Sequence, residues 1–412
     1  EVNIVKIALF SDVYVPAIGG VSTSTQLLRN ELIKKGHEVF VYTVKDPDAK
    51  NDAKNIVRLP SLPFISEKRI SINVNPKTRR QLQAENFDII HTQTEFGLGI
   101  LGRSLARTEK IPIVHTFHTI YDDFTRDMFA SWPNFIDNNA AKLMRNISRN
   151  FCNSVDEVIV PTKKTADLLG EYGVVTPLHI IPTGLDLNRF YSAAADKDKK
   201  AEIRSKLGLQ PDDVVLLYLG RVSNEKHIDE LFDYLFKIFS RMAELKMVVT
   251  GEGAALARLK KRVKNEKQTR HVIFTGPVSV DVVPYYYAMA DIFTSASQSE
   301  TQGLTYIEAL ASGLPILVRE DPSLHGVVSN GYNGHYFVDE KSFCQGLDLL
   351  LEQLNNDKGE LFRKAASSAA KYDVSFLLIK CWKFTGWPYS HNLSKYFVCV
   401  NLVSIKYIRS PE

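Results

Sequence analysis

Cysteine is scarce in this sequence, and a long apolar segment is missing. No apolar run approaches the roughly 18 residues that a membrane-spanning helix needs, and residues 1–10 do not predict a signal peptide. These absences argue against a disulfide-stapled secreted protein and a membrane-spanning one, and they favour a reducing cytoplasm. The cysteines, whose spacing fits neither a metal site nor a redox pair, are Cys152, Cys344, Cys381 and Cys399.

A strong charge of one sign is also lacking. The formal net charge is +4 over 412 residues, so the sequence predicts no nucleic-acid partner, although it leaves room for local basic patches. Hydrophobic residues make up 44% and charged residues 24%, which is ordinary for a globular protein and argues against disorder. The length predicts two or three domains.

Short apolar segments alternate with helical patterns along the chain. They are β-branched, as buried parallel strands are, and they form two series. We therefore predict two doubly wound, Rossmann-like α/β domains facing across a cleft, at residues 1–190 and 191–371. A tail at 372–412 has no clear period, and its return to the first domain stays open. Tyr191–Lys200 has the composition of a linker or an exposed helix start. The predicted strands are Val5–Phe10, Glu38–Tyr42, Asp88–His91, Ile113–His115, Glu157–Val160, His179–Ile181, Val214–Leu219, Met247–Thr250, Val272–Phe274, Ile292–Ser295 and Pro315–Val318.

The loop after the first predicted strand ends in two glycines, Gly19 and Gly20. Glycine lets a ligand approach the backbone closely. A helix is predicted to follow over Val21–Lys35, with N-cap chemistry from Ser22 and Thr23, and its N-terminus offers N–H groups to a phosphate. An ordinary turn is the alternative, and the pattern is not the GxGxxG of dinucleotide-binding domains.

Two charged motifs follow strands of the second series. Arg221 and Lys226 come directly after one strand, where they are placed to hold a diphosphate. Glu300 lies in the loop after another strand, and Glu308 lies in a helix that starts near Gly303. Carboxylates accept hydrogen bonds from sugar hydroxyls, and ribose has two adjacent ones. A dipole partner and a surface glutamate are the alternative for the pair.

A third polar loop runs from His115 to Phe124. We expect His115 to be a core or strand-end residue and His118 to reach a substrate by a hydrogen bond. The adjacent Asp122 and Asp123 are weak evidence for a metal, because no third ligand follows at a suitable spacing. No metal site is predicted.

A basic stretch with interleaved apolar residues lies between residues 58 and 80. This pattern is typical of a protein that lies on an anionic membrane, and a solvated charged face is the alternative. A second basic run, Arg258–Arg270, predicts an exposed helix. The cations of the first stretch are Arg58, Lys68, Arg69, Lys77, Arg79 and Arg80, and Lys163 and Lys164 follow another strand.

Together these motifs resemble the retaining GT-B glycosyltransferases of family 4. Gly220–Lys226, with the pattern Gly-Arg-x-x-x-Glu-Lys, and the Glu-x7-Glu pair of Glu300 and Glu308 match that family's signature in the same order. His91–Gly99 and His115–Phe124 are similar to segments of the bacterial 1,2-diacylglycerol 3-alpha-glucosyltransferases. The resemblance covers roughly residues 4–373, and the tail beyond it departs from the family pattern.

The resemblance implies transfer of glucose from UDP-glucose to the 3-hydroxyl of diacylglycerol, forming alpha-monoglucosyldiacylglycerol for membrane glycolipid or the lipoteichoic acid anchor. It implies a peripheral enzyme at the cytoplasmic face of the membrane, with no required cofactor and Mg²⁺ at most a stimulating ion. The residues that it implies for catalysis are His118, Glu300, Arg221 and Lys226. Those implied for donor binding are Gly19, Gly20, Arg221, Lys226, Glu300, Gly303, Leu304 and Glu308. Those implied for the acceptor and the anionic membrane surface are Lys68, Arg69, Lys77, Arg79, Arg80, Lys163, Lys164, Tyr121 and Asp123.

Three other functions stay open at this point. A family-4 transferase with a soluble acceptor would share the motifs and lack membrane affinity. An NAD-dependent oxidoreductase would share twin α/β domains, but the missing GxGxxG argues against it. A non-catalytic binding module would share the fold, but the intact charged motifs argue against decay. The sequence shows neither the base of the donor nor the epimer of its sugar.

Overall fold

The structure is a computed structural model of a chain with two compact units. It describes residues 4–17, 19–50, 52–63, 69–71, 75–120 and 134–374, with side chains of the last range from residue 140 onward. The first unit contains the described residues up to Ile120, Asn134–Gly184 and Val374, and the second contains Leu185–Asp373. Within these ranges no helix combines the length and the apolar character needed to cross a membrane.

The first unit is built on a seven-stranded parallel sheet with the order β3-β2-β1-β6-β7-β8-β9, and β4 and β5 form a small antiparallel pair. The interior strand β1 is buried along its apolar residues, as the continuous apolar pattern predicts for a strand covered on both faces. The strands are β1 (Lys6–Phe10), β2 (Glu38–Val44), β3 (Ile56–Leu59), β4 (Leu62–Pro63), β5 (Arg69–Ile70), β6 (Ile89–Thr92), β7 (Ile113–Thr116), β8 (Glu157–Val160) and β9 (Leu178–Ile180).

Helices connect these strands. They are α1 (Gly20–Lys34), α2 (Pro76–Ala84), α3 (Gly97–Glu109), α4 (Asn134–Cys152) and α5 (Lys163–Glu171). The predicted capping of α1 by Ser22 and Thr23 is wrong, because the N-cap residue is Gly19 and no side chain caps this helix. Both residues lie inside the first turn, and Ser22 is buried.

The second unit is built on a six-stranded parallel sheet with the order β12-β11-β10-β13-β14-β15. Its strands are β10 (Val214–Leu219), β11 (Leu245–Thr250), β12 (Val272–Gly276), β13 (Ile292–Ser295), β14 (Ile316–Arg319) and β15 (Gly334–Phe337). The two predicted series of buried strands are therefore present, which confirms the two Rossmann-like sheets. The short strands β3, β4, β5 and β15 were not predicted.

The second unit also contains seven α-helices within its described residues. They are α6 (Asn188–Ala195), α7 (Lys197–Lys206), α8 (Ile228–Phe239), α9 (Leu256–Asn265), α10 (Val283–Ala288), α11 (Leu304–Ala311) and α12 (Glu340–Ala369), which is kinked at Asp357. Helices α6 and α7 cover Tyr191–Lys200, so the linker interpretation of that stretch is wrong and the helical alternative holds. Because the strands are parallel, the loops that follow β10, β11 and β13 emerge at one edge of the sheet.

Candidate active site

Arg221 is held at the end of β10 by its neighbours in the same motif. Its guanidinium Nη2 lies 3.5 Å from Glu225 Oε1, and its side chain is 54% exposed. Glu225 also accepts a 2.6 Å hydrogen bond from Ser223 Oγ. The Tyr218 hydroxyl donates to the backbone oxygen of Arg221 at 2.7 Å. An exposed cation is thus mounted on a fixed turn at the strand end.

A close approach of two backbones shapes this turn. Gly251 has φ +135°, and a Cβ at this position would lie 1.9 Å from the backbone oxygen of Gly220. The backbone N–H of Gly220 donates to Thr250 O at 3.0 Å. Only glycine therefore lets the loop after β11 pack against the loop that carries Arg221.

Lys226 joins the two charged motifs of the second unit. Its Nζ lies 2.7 Å from Glu300 Oε1, 3.2 Å from Ser297 Oγ and 3.4 Å from Ser299 Oγ. The exposed fractions of the Lys226 and Glu300 side chains are only 13% and 19%. The ion pair is thus largely shielded from water at the carboxyl edge of the sheet, between the loops that follow β10 and β13.

Gly303 forms the N-cap of α11 in a left-handed conformation with φ +73°. A Cβ here would lie 2.7 Å from the ring of Tyr306, so glycine is required for both conformation and space. No side chain caps the helix. The first turn, which starts at Leu304, thus presents backbone N–H groups and the positive end of the helix dipole, an arrangement suited to a phosphate.

Glu308 lies in the middle of α11, half-buried, with one carboxylate oxygen fixed. The Tyr287 hydroxyl donates to Glu308 Oε2 at 2.9 Å. Burial raises the pKa of Glu308 to about 7, and the Tyr287 hydrogen bond and the positive charge of Arg189 act in the opposite direction. This carboxyl group therefore changes its charge near neutral pH.

Three charged groups of these motifs act electrostatically on one buried phenol, that of Tyr218. Burial raises the pKa of Tyr218 far above its usual value, and the nearby carboxylates of Glu300 and Glu225 raise it further, while Arg221 lowers it. Tyr218 also acts electrostatically on Tyr287. The structure therefore brings the predicted charged residues of the second unit into one region.

In the first unit, His118 is held by a side chain from the neighbouring strand end. Its Nε2 lies 2.8 Å from Gln93 Oε1, which follows β6. Burial lowers the pKa of His118 to about 3, and the neighbouring His115 lowers it further. His118 is therefore neutral at physiological pH and suited to a neutral hydrogen bond. His115 is fully buried, with Nδ1 3.0 Å from Thr92 Oγ1, as expected of a core residue.

Gly19 and Gly20 are exposed at the start of α1. The loop before them is anchored by the buried Asp12, whose carboxylate accepts hydrogen bonds from Thr94 Oγ1 at 2.7 Å and from Leu98 N at 3.1 Å. Burial raises the pKa of Asp12 above its ordinary value. The loop is thus tied to the segment that carries Gln93.

The predicted membrane-facing cations do not share one environment. Lys77, Arg79 and Arg80 are exposed on α2. Arg69 donates to Ser61, and Arg58 is only 11% exposed and paired with Asp52 at 2.6 Å. The prediction that Arg58 is a surface cation is therefore wrong, because its side chain is largely buried and paired with Asp52. Lys163, the first residue of α5, pairs with Asp167, and Lys164 follows it in the same helix. Lys68, Tyr121, Asp122 and Asp123 lie outside the described residues.

Sequence reasoning missed several residues that hold the site together. Glu225, Ser297 and Gln93 lie inside the motifs, so their position was a usable signal, but their partners are distant in sequence. Tyr287 had no sequence signal at all.

Across the described ranges, no group of three or more His, Cys, Asp or Glu side chains is placed to hold a metal ion.

Two family models match the chain. The model for Glycosyltransferase Family 4 matches residues 18–189, and the model for Glycosyl transferases group 1 matches residues 199–371. Each match falls mainly on one of the two units, and the second contains all the charged motifs described around Tyr218.

Curated relatives and solved structures agree with these matches. An alpha-monoglucosyldiacylglycerol synthase of Streptococcus pneumoniae is 38% identical over 338 residues, which are 81% of this chain and 76% of the relative. A protein of the same name from Acholeplasma laidlawii is 32% identical over 371 residues, 89% of this chain and 93% of the relative. The crystal structure of Anabaena HepE in complex with UDP-glucose gives a TM-score of 0.68 at 16% identity, covering 90% of this chain and 96% of that one. The predicted GT-B fold class is confirmed.

Proposed function

We infer that this chain, which belongs to the glycosyltransferases of family 4, is a hexosyltransferase that transfers glucose to diacylglycerol. We propose in addition that UDP-glucose is the donor, that the acceptor is the 3-hydroxyl and that the product is alpha-monoglucosyldiacylglycerol, a membrane glycolipid or lipoteichoic acid anchor. The relatives at 38% and 32% identity support the reaction, because both are alpha-monoglucosyldiacylglycerol synthases.

The observation that carries the proposed mechanism is the contact between Lys226 and Glu300. It places a cation for phosphate and a carboxylate for sugar hydroxyls 2.7 Å apart, next to the exposed Arg221. A nucleotide sugar presents these two kinds of group side by side. The diphosphate would draw Lys226 Nζ toward its oxygens, and Glu300 would then turn to hydroxyls of the glucose.

Electrostatic stabilisation of the leaving group is the main catalytic effect that we propose. Negative charge grows on the diphosphate as the bond from glucose to phosphate breaks. Arg221, Lys226 and the N-terminus of α11 at Gly303 and Leu304 would stabilise this charge, and fixed donors of this kind have large effects on rate. No cofactor is required in this scheme, and Mg²⁺ is proposed at most to stimulate.

Retention of configuration follows if the acceptor attacks from the face that the diphosphate leaves. In the proposed step, the acceptor oxygen bonds to the anomeric carbon as the bond to the diphosphate oxygen breaks. A diphosphate oxygen then takes the hydroxyl proton. No carboxylate nucleophile is needed, in contrast with retaining glycoside hydrolases. Glu308 would accept the ribose hydroxyls, and Gly19, Gly20 and His118 in the first unit stay predicted donor contacts.

We propose that the enzyme works as a peripheral protein at the cytoplasmic face of an anionic membrane. The exposed Lys77, Arg79 and Arg80 on α2 support this, because such cations are attracted to anionic headgroups by about 1 kcal/mol each. In mixed micelles with labelled UDP-glucose and diacylglycerol, we expect labelled lipid whose amount rises with anionic lipid. UDP release without labelled lipid would instead favour the alternative, a family-4 transferase with a soluble acceptor.

Charge reversal on α2 tests the docking surface. The triple variant Lys77→Glu, Arg79→Glu, Arg80→Glu should bind vesicles containing phosphatidylglycerol at least about 100-fold more weakly, since three attractions become repulsions. The matched control is Lys260→Glu, Lys261→Glu, Lys264→Glu, which reverses three exposed cations on α9 in the other unit. Vesicle sedimentation measures both. Equal losses in the two variants would show a general charge effect and contradict a docking surface on α2.

A further inference from the structure

Glu308 is oriented by a phenol from a neighbouring helix. Tyr287 is fully buried on α10, and its ring packs against Phe190 and Phe293, each with a centroid distance of 6.0 Å. Its hydroxyl donates to Glu308 Oε2 at 2.9 Å. The described residues donate no hydrogen bond to Glu308 Oε1, so that oxygen is left to accept from a ligand.

We propose that Tyr287 is a positioning residue for donor binding, which keeps Glu308 ionised and aims its second oxygen at the ribose hydroxyls. This inference rests on the proposed role of Glu308 in the binding of the nucleotide. Tyr287 does not itself touch the donor in this account. It acts by fixing the carboxylate rotamer and by favouring the charged form, the form that accepts hydrogen bonds from both hydroxyls of a diol.

The hydrogen bond from Tyr287 affects the charge of Glu308 because few other described groups act on this carboxylate. Within the described residues, the groups that act on its charge are Tyr287 from α10 and Arg189 from α6, and burial raises its pKa to about 7. The pKa of Tyr287 itself is raised far above its usual value by burial and by Glu308, with smaller contributions from Tyr218 and Tyr306. The phenol therefore stays a donor wherever the carboxyl group titrates.

The sign of the pH effect follows from this arrangement. A carboxyl group with a raised pKa is ionised only above that pKa, so donor affinity should fall as pH drops through about 7. Removal of the Tyr287 hydroxyl withdraws a hydrogen bond from the charged form and raises the pKa of Glu308 further. The loss of affinity should then begin at a higher pH.

The test is the affinity for UDP-glucose, without acceptor, from about pH 5.5 to 9.5 by calorimetry. UDP-glucose is a better probe than UDP, because its diphosphate has no proton to lose in this range. The acid limb is the part of the pH profile in which the affinity for UDP-glucose falls as pH drops. In Tyr287→Phe we expect this limb to move to higher pH by about one to two pH units. At the alkaline end the affinity should return to within about threefold of the wild type.

Two variants serve as matched controls. Tyr306→Phe removes an equally buried hydroxyl, which donates to Ser295 Oγ at 2.9 Å and not to Glu308, and should leave the limb in place. Glu308→Gln should remove the limb and keep the affinity, at every pH, near the low value that the wild type reaches below the pKa of Glu308. A fluorinated tyrosine at position 287 keeps the shape and donates more strongly, so it should move the limb to lower pH even if Tyr287→Phe folds poorly.

The outcomes separate the inference from the proposed function. A limb that disappears in Glu308→Gln and stays in place in both Tyr287 variants would overturn the positioning role alone. A limb that persists in Glu308→Gln would overturn it as well, because the titrating group would not be Glu308. A wild-type protein that binds no UDP-glucose at any pH would overturn both this inference and the proposed donor.

Discussion

Lys226→Ala should lower kcat/KM for glucosyl transfer by about 100- to 1000-fold, or about 3 to 4 kcal/mol. The reason is that Lys226 Nζ, 2.7 Å from Glu300, is the shielded cation at the strand end, where charge on the leaving diphosphate would develop. Affinity for UDP should fall as well, because UDP carries the same phosphates. Steady-state kinetics with labelled UDP-glucose, together with UDP titrations, measure both effects.

The control for this prediction is Lys237→Ala. Lys237 pairs with Glu340 at 2.7 Å, but its side chain is 64% exposed. Exposed ion pairs contribute about 0 to 1 kcal/mol, so this variant should keep its activity and nearly all its stability. Thermal unfolding of Lys226→Ala must show a folded protein, since Glu300 loses its ion pair with Lys226 there. Turnover within about threefold of the wild type in folded Lys226→Ala would refute the phosphate assignment.

Glu300→Ala should weaken the interaction with the glucose part of the donor and leave the interaction with its nucleotide part intact. We expect kcat/KM for UDP-glucose to fall by roughly 10- to 150-fold, the range for hydrogen bonds to a charged group. UDP has no glucose, so its affinity should stay unchanged or increase, because Lys226 is released from the ion pair to bind phosphate.

The matched variant for this second prediction is Glu340→Ala, which removes the exposed partner of Lys237 and should affect neither ligand. A comparison of dissociation constants for UDP and UDP-glucose in the three proteins decides the question. If Glu300→Ala weakened UDP as much as UDP-glucose, Glu300 would act by holding Lys226 in place, and its assignment to the sugar would be wrong.

The strands were predictable because their burial leaves a simple pattern. The run Val214–Leu219 is apolar at every position, and the structure has β10 over the same residues. The start of α1 was not predictable in the same way. Ser22 and Thr23 are good capping residues, but the helix begins earlier, at Gly20, because the preceding loop leaves the sheet in a conformation set by Gly19.

The site was predictable in its parts and not in its contacts. Periodicity and motifs predict which charged residues follow strand ends or lie in the next helix. These residues are Arg221, Lys226, Glu300 and Glu308. The pairing of Lys226 with Glu300 joins residues 74 positions apart and depends on β10 lying beside β13 in the sheet.

The contact between Tyr287 and Glu308 was also not predictable from the sequence. It is one of three consecutive tyrosines, Tyr285, Tyr286 and Tyr287, and the sequence gives no reason to choose among them. Only Tyr287 is fully buried, because α10 turns that face toward Phe190, Phe293 and α11. Which hydroxyl meets a carboxylate is decided by helix packing, and periodicity in a six-residue helix carries too little information to predict it.

The anomeric configuration of the lipid product tests the proposed glucosyl transfer most directly. Purified enzyme is incubated with UDP-glucose and diacylglycerol, and the glucolipid is examined by proton NMR and by digestion with α- and β-glucosidases. We expect a single glucolipid with the α configuration, linked to the 3-hydroxyl of glycerol and cleaved only by the α-glucosidase. A β-linked product, or no glucolipid from a folded protein that binds UDP-glucose, would contradict it.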